Sequence, residues 1–272
     1  MIMKRIFLII SALALTMSLN AQKLTILHMN DTHSQIEAQR TGKNKGEGGV
    51  IEQAAYIDSV RVADGQENVL LLHAGDFSQG SSYFIEFSGD IEIDVLNAMG
   101  FDAVCLGNHE FDNGMDELAR RLRNLEVTAL CANYDFSKTP LSGLVQPYTI
   151  VEKAGRKIGI IGLLTDVSIV VSAEIAAAIK FQDPAKVANE YALKLKKEGC
   201  DLVIALTHLG YEGEMYTDIE LAQATRNIDV IVGGHSHTFI KDLTKVRNLD
   251  RKKVIVVTDG KWGFDIGKLS VR

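Results

Sequence analysis

Leu24-Thr25-Ile26-Leu27-His28-Met29-Asn30-Asp31-Thr32-His33 begins as a β-rich apolar run and ends in an amide, a carboxylate and an imidazole. The same change of character follows four more apolar runs. Residues 69–72 lead to Gly75-Asp76, and residues 103–106 to Gly107-Asn108-His109-Glu110 with Asp112 beyond. Residues 202–206 lead to Thr207-His208, and Val230-Ile231-Val232 to Gly233-Gly234-His235-Ser236-His237. Short buried strands read as continuous apolar runs, and ligands bind outside the carboxyl ends of strands in an open α/β sheet. If these strands share a sheet, carboxylates, an amide and several imidazoles converge on one edge.

Each piece alone is weak, because an Asp after a strand is commonly a helix cap and a strand-end His is commonly a core group. Five together are harder to dismiss: the chain has seven histidines, and five lie inside these clusters. The other two, His28 and His73, read as packing or outer-shell groups. An O/N donor set without thiolate suits Mn, Fe or Zn in a working site, whereas structural zinc prefers cysteine. The neighbouring glycines suit turns where backbone must come close to a ligand.

Helical patterns separate many of the runs. Residues 50–62 place apolar side chains at Ile51, Ala54, Ala55, Tyr56 and Ile57, and residues 91–99 and 115–125 behave similarly. Asp183-Pro184 opens the clearest helix as N-cap and first-turn proline, and Gly199 closes it. Strands alternating with helices predict an α/β domain, with antiparallel pairing around residues 148–163.

The composition, 46% hydrophobic and 24% charged over 272 residues, supplies a core without disulfides. Cys105, Cys131 and Cys200 show neither metal-ligand spacing nor a disulfide framework and read as buried thiols. Residues 1–21 carry Lys4 and Arg5 before an apolar stretch and a small residue at Ala21, the pattern of a secretory signal peptide. The apolar stretch is shorter than the roughly 20 residues of a membrane span, so no stable membrane insertion is expected once it is cut. The formal charge of −6 then falls by two, to −8, as Lys4 and Arg5 leave. That balance argues against long nucleic acid as a partner. An exported protein, periplasmic or secreted, is the expectation, with residues 22–272 as one catalytic domain.

With those blocks assembled, the chain resembles the calcineurin-like metallophosphatase superfamily, and within it the catalytic domain of the 5'-nucleotidase family. The resemblance rests on residues 27–33, Gly75-Asp76, residues 107–112, Thr207-His208 and residues 233–237. It implies a fold of two mixed β-sheets flanked by helices in four layers. It also implies two divalent metal ions, with Asp31, His33 and His237 holding the first, Asn108, His208 and His235 the second, and Asp76 bridging. His109, oriented by Asp112, would be the catalytic dyad, and Glu110 reads as a structural carboxylate beside it.

The implied reaction is hydrolysis of a phosphate monoester, most naturally a 5'-nucleotide, by metal-activated hydroxide. A phosphodiesterase or nucleotide-sugar pyrophosphatase using the same site is the alternative, and a non-catalytic metal-binding subunit is an alternative of another class. Two departures stand out. The family's helix after the glycine pair often carries Arg, where this chain has Glu52 and Gln53. The family usually continues into a C-terminal domain that holds the nucleotide, whereas this sequence stops at Arg272, which suggests a separately encoded recognition domain. Such a partner needs a docking face, for which the Ala/Ile-rich residues 168–179 compete with a buried helix. Trp262 reads as packing or as a surface for a base.

Overall fold

The computed structural model describes residues 22–169, 171–213 and 216–271. The expected signal segment, residues 1–21, lies outside the described residues.

Five strands form the first sheet in chain order: β1 (Leu24–Met29), β2 (Val69–His73), β3 (Ala103–Cys105), β4 (Ala129–Leu130) and β5 (Val145–Gln146). The chain then builds the second sheet from β6 (Tyr148–Lys153), β7 (Arg156–Leu164), β8 (Leu202–His208), β9 (Val230–Val232), β10 (Thr244–Arg247) and β11 (Lys253–Val257). Finally β12 (Gly267–Val271) returns to the first sheet, antiparallel to β1. The strand orders are β12-β1-β2-β3-β4-β5 and β10-β11-β9-β8-β7-β6. Each sheet has a parallel centre; the first has one antiparallel edge, at β12, and the second has two, at β10 and at β6, whose pairing with β7 residues 148–163 predicted.

Side chains two apart on a strand share a face, and that period sorts the core into layers. Leu24, Ile26, Leu70 and Leu72 of the first sheet meet Ile158, Ile160, Leu202 and Ile204 of the second, all buried. The alternate residues of the first sheet, among them Leu27, Met29 and Leu71, pack on helices α1 (Val50–Asp64), α3 (Asp90–Met99) and α4 (Met115–Leu122), with the short α2 (Ser82–Phe87) between α1 and α3 in the chain. On the far side, Ile161, Val203 and Ile231 pack on α6 (Pro184–Lys197) and α7 (Asp218–Ala224), while α5 (Ala173–Ala178) precedes them. Helix, sheet, sheet and helix are the four layers, and each fully buried Leu or Ile contributes about 1.5–3 kcal/mol.

The five marked strands therefore do not share one sheet. Three lie in the first and two in the second, yet their carboxyl ends meet at one edge, where His208 bonds Ala74 O and the His235 N–H bonds Asp31. The helices form where the patterns place them, but the α1 face differs: Ile57 and Val60 meet the core, Ile51, Ala55 and Tyr56 are exposed, and the buried polar residue is Gln53. Asp183 caps α6 by accepting the Ala185 N–H at 2.8 Å and the Lys186 N–H at 3.1 Å, with Pro184 first in the helix. Ile175 and Ile179 join the core beneath α5 while its other face is open, so that stretch is half buried. All three cysteines are free and buried. Among the described residues no helix is long and apolar enough to cross a membrane.

Candidate metal centre

The loops after β1, β2, β3, β8 and β9 meet at the carboxyl edge shared by the two sheets. Backbone bonds lace them together: the Asp31 N–H donates to Gly75 O at 2.9 Å and the His33 N–H to Asp76 O at 3.0 Å. The segment after β11 joins from the other side, with the Trp262 N–H donating to Asp31 O at 2.7 Å. Gly75, at φ +91, has no room for a side chain, since a Cβ there would stand 2.7 Å from His208 Nδ1 and 2.8 Å from Gly107 N.

Five of the candidate ligands, Asp31, His33, Asp76, His235 and His237, have positive φ between 45 and 79. Left-handed backbone at a non-glycine residue costs on the order of 1 kcal/mol or more and persists where surroundings enforce it. Here it turns each side chain off the end of its strand and into a common space.

Three overlapping groups of ligand atoms result, each with all its atoms within 4.8 Å of one another: Asp31, His33 and His237; Asp76, His208 and His235; and His33, Asp76 and His109. Asp76 belongs to two of these groups and His33 to two. Asp31 Oδ1 lies 3.3 Å from His237 Nε2, Asp76 Oδ2 lies 3.0 Å from His208 Nε2, and His33 Nε2 faces His237 Nε2 at 2.9 Å. Asn108 is buried beside them.

The hydrogen bonds leave the inward atoms free. Asp31 Oδ2 accepts from Asn30 Nδ2 at 2.7 Å and from the His235 N–H at 2.8 Å, whereas Asp31 Oδ1 is buried with no hydrogen-bond partner. Asn108 Oδ1 is orphaned in the same way. His208 Nδ1 donates to Ala74 O at 2.7 Å, which leaves Nε2 directed at Asp76. Buried acceptors without donors are costly. A pair of cations resolves that cost, so the donor set fits a two-metal centre with oxygen and nitrogen ligands. Overlap through a shared carboxylate is the arrangement such centres use.

The electrostatics agree. Burial opposes a charge on His208, but the carboxylates of Asp76 and Asp31 outweigh it and lift that imidazole to about 10. Burial likewise opposes ionisation of Asp76, and the imidazoles of His208, His33 and His109 outweigh it, holding Asp76 well below the usual carboxylate range. The centre thus attracts positive charge strongly. His235 is pushed down to about 4 by burial and by neighbouring His208.

His109 and Asp112 stand at the rim. His109 Nδ1 and Asp112 Oδ2 are 2.9 Å apart, the His109 N–H donates to Asp76 Oδ1 at 2.9 Å, and the two side chains are 33% and 31% exposed. The hydrogen bond to Asp112 raises the His109 imidazole above its ordinary value. Among the remaining histidines, His73 accepts the Gly75 N–H through Nδ1 and so donates from Nε2 to Thr32 Oγ1 at 3.0 Å. Burial pushes it down to about 3, a neutral scaffold group. His28 pairs with Asp259.

Buried carboxylates support the loops, Glu110 in the structural role its place in the motif suggested. Glu110 accepts the N–H groups of Asp76 at 3.0 Å, Ser78 at 3.0 Å and Gly107 at 2.5 Å, fastening the β2 and β3 loops to each other. The fully buried Arg121 reaches over it, donating to Glu110 O at 2.8 Å and to Ser78 Oγ at 2.7 Å. Ser34 donates to the buried Glu92, and Gln53 Nε2 donates to Gly263 O at 3.3 Å. The Trp262 ring packs edge-on to Phe264 at 5.5 Å, while its backbone N–H bonds Asp31 O.

The family model for calcineurin-like phosphoesterases matches residues 24–239, which takes in every one of these loops except the last. The chain belongs to the calcineurin-like phosphoesterase family. Within it, the chain groups with the catalytic domain of the 5'-nucleotidases. It is 38% identical to the snake venom 5'-nucleotidase of Naja atra over 228 residues, 80% of this chain and 42% of that one. It is 39% identical to the NAD 5'-nucleotidase of Haemophilus influenzae over 225 residues, 80% of this chain and 36% of that one. The 5'-nucleotidase precursor from Thermus thermophilus superposes with a TM-score of 0.84 at 35% identity, covering 92% of this chain and 51% of that one. The chain thus spans less than half the length of the curated relatives it matches.

Proposed function

We propose that this chain is a two-metal phosphoesterase that hydrolyses phosphate monoesters, with 5'-nucleotides as the substrate class. The single observation that carries the reading is the position of Asp76, a carboxylate common to two ligand groups at an edge that already has buried, unpartnered acceptors. In this reading Asp31, His33 and His237 hold one cation and Asn108, His208 and His235 the other, with Asp76 between them. Two divalent cations there, Zn, Mn or Fe, supply the charge that gathers phosphate oxygens and lowers the pKa of water.

The chain's own residues do the rest. Asp112 fixes the His109 tautomer, so that Nδ1 carries the proton toward Asp112 and Nε2 is left for substrate. His109 then hydrogen-bonds the phosphoryl oxygen or delivers a proton to the leaving alkoxide, and its partial exposure leaves room for an ester of some size. Asn30, His73 and Glu110 hold the loops so that these groups need not reorganise during the reaction.

Residues 1–21 act as an export signal and residues 22–272 as the catalytic domain, which puts the enzyme in a periplasm or outside the cell. A second reading, cleavage of a phosphodiester or pyrophosphate, draws on the likeness to an NAD 5'-nucleotidase. Turnover of 5'-AMP, a nucleotide sugar, a cyclic nucleotide and an aryl phosphate by the metal-loaded protein separates the two. The reading fails if a folded, metal-loaded chain turns over none of them, which would leave a non-catalytic metal-binding subunit.

A further inference from the structure

Asp218 opens α7, 11 residues beyond Thr207 and outside every motif read from the sequence. An acid in a helix's first turn is ordinarily solvated and serves the helix dipole. Asp218 is instead fully buried. Its Oδ1 accepts the Thr207 hydroxyl at 2.6 Å, and Thr207 directly precedes His208 on β8. Its Oδ2 has no hydrogen-bond partner and lies against Gly233, where a Cβ would overlap that oxygen. Gly233 and Gly234 form the turn that carries β9 into His235.

One carboxylate therefore touches the two strand ends that deliver the two imidazoles facing Asp76. The backbone adds to the bracket, since the Asp218 N–H donates to Gly210 O at 2.8 Å and the Tyr211 N–H donates to Ser236 Oγ at 3.0 Å. The loop after His208 is thereby sewn to the loop after Gly234. The rings of His208 and His235 come to rest with centroids 5.1 Å apart.

Burying a carboxyl beside a glycine, with one oxygen unpartnered, is unfavourable. A fold that needed only a helix start at this point would be served by Thr217, which already caps α7 in a capping box with Glu220.

We propose that Asp218 is a positioning residue for one cation of the pair, the one facing His208 and His235, and that it acts by fixing the spacing of their strand ends. This rests on the two-metal reading of the site. Outer-shell partners of metal ligands are worth roughly 10- to 100-fold in metal affinity.

The experiment is a competitive chelator titration of the full chain with Mn and with Zn, alongside metal content per chain. His208→Ala and His237→Ala serve as markers for which cation is lost. Asp218→Ala should weaken the His208-marked cation by about tenfold or more and leave the His237-marked cation unchanged within roughly threefold. Asp218→Asn, which keeps an acceptor for Thr207, should recover most of that affinity. Thr207→Val, which removes the hydroxyl at constant shape, should show the selective loss even if Asp218→Ala does not fold. Equal weakening of both cations, or of neither, in the folded variants overturns the role of Asp218 while leaving the metal centre standing. A wild-type chain that binds no second cation would instead overturn the two-metal reading itself.

Discussion

The ligand group built on Asp76, His208 and His235 and the group built on Asp31, His33 and His237 use the same chemistry and are supported very differently. In the first, His208 is fully buried and tied through Nδ1 to Ala74 O, and the Asp76 N–H is received by Glu110. In the second, Asp31 is equally buried, but His237 is 34% exposed, and among the described residues its ring is held only by its neighbours in the group. A ligand set fixed by hydrogen bonds outside the metal loses little freedom on binding; a set with a loose, wetted member loses more. The comparison teaches that two cations sharing one carboxylate need not be held alike. The cation of the Asp76 group should be the resident one and that of the His237 group the exchangeable one.

The largest test removes the carboxylate that the proposed reading sets between the two cations. Asp76→Ala should lower turnover by roughly a thousandfold or more, as expected when a unit that acts together loses a member, and should reduce metal content below two per chain. Retention of two cations by that variant would break the bridging role and with it the comparison. Next in size is His109→Ala. The group His33, Asp76 and His109 puts His109 within reach of a cation as well as of a leaving group. If it handles protons, kcat should fall about 10²- to 10⁴-fold with both cations retained. Loss of a cation in His109→Ala would reassign it as a ligand.

Much of this centre was legible in the sequence, and the reason is physical. Strand ends must be short and apolar up to the last buried residue, so Asp31, Asp76, Asn108, His208 and His235 stand out against runs such as residues 24–27 and 202–206. The family resemblance then supplied the pairing of residues from distant loops, which periodicity has no means to reveal. What went unread has no local signature. The edge strand β10 is only half buried and β5 has two residues, so neither carries an apolar run. Asp218 and Glu92 look like ordinary first-turn helix acids until their burial is known. The left-handed backbone at Asp31 and His33 falls on residues that do not advertise it, as glycine would. The division of the five strands between two sheets depends on β6 and β7 starting a second sheet, a long-range choice that strand patterns do not encode.

A smaller effect sharpens the comparison kinetically. On challenge with a chelator, the wild-type chain should lose its cations in two phases, and His237→Ala should abolish the faster one while leaving the slower rate within about threefold. The affinity it loses should be at least the roughly tenfold that an outer-shell change brings. If His208→Ala were to remove the faster phase instead, the assignment of resident and exchangeable sites would be reversed.

The smallest expected effect asks where the rigidity of the Asp76 group comes from. Its supports are strand ends, loops and the first residue of α7: Ala74, Glu110, Thr207, the Gly233 turn and Asp218. The helix α6 covers the second sheet through Val187, Ala188 and Leu195 and bonds to the end of α7 through Asn189 Nδ2 and Ala224 O at 3.0 Å. Asp183→Ala removes the cap of α6 and should destabilise the fold by about 1 kcal/mol. Measured by urea unfolding of the metal-free chain, that loss should appear as a lower midpoint with an unchanged slope. Metal affinity in the folded state should not move, because the cap lies at the end of an outer-layer helix and the sheet beneath is held by its own ladder. A selective weakening of the His208-marked cation in Asp183→Ala would mean that the centre borrows its stiffness from the helix layer. The contrast between the two ligand groups would then be a property of the whole second sheet and not of the brackets at its edge.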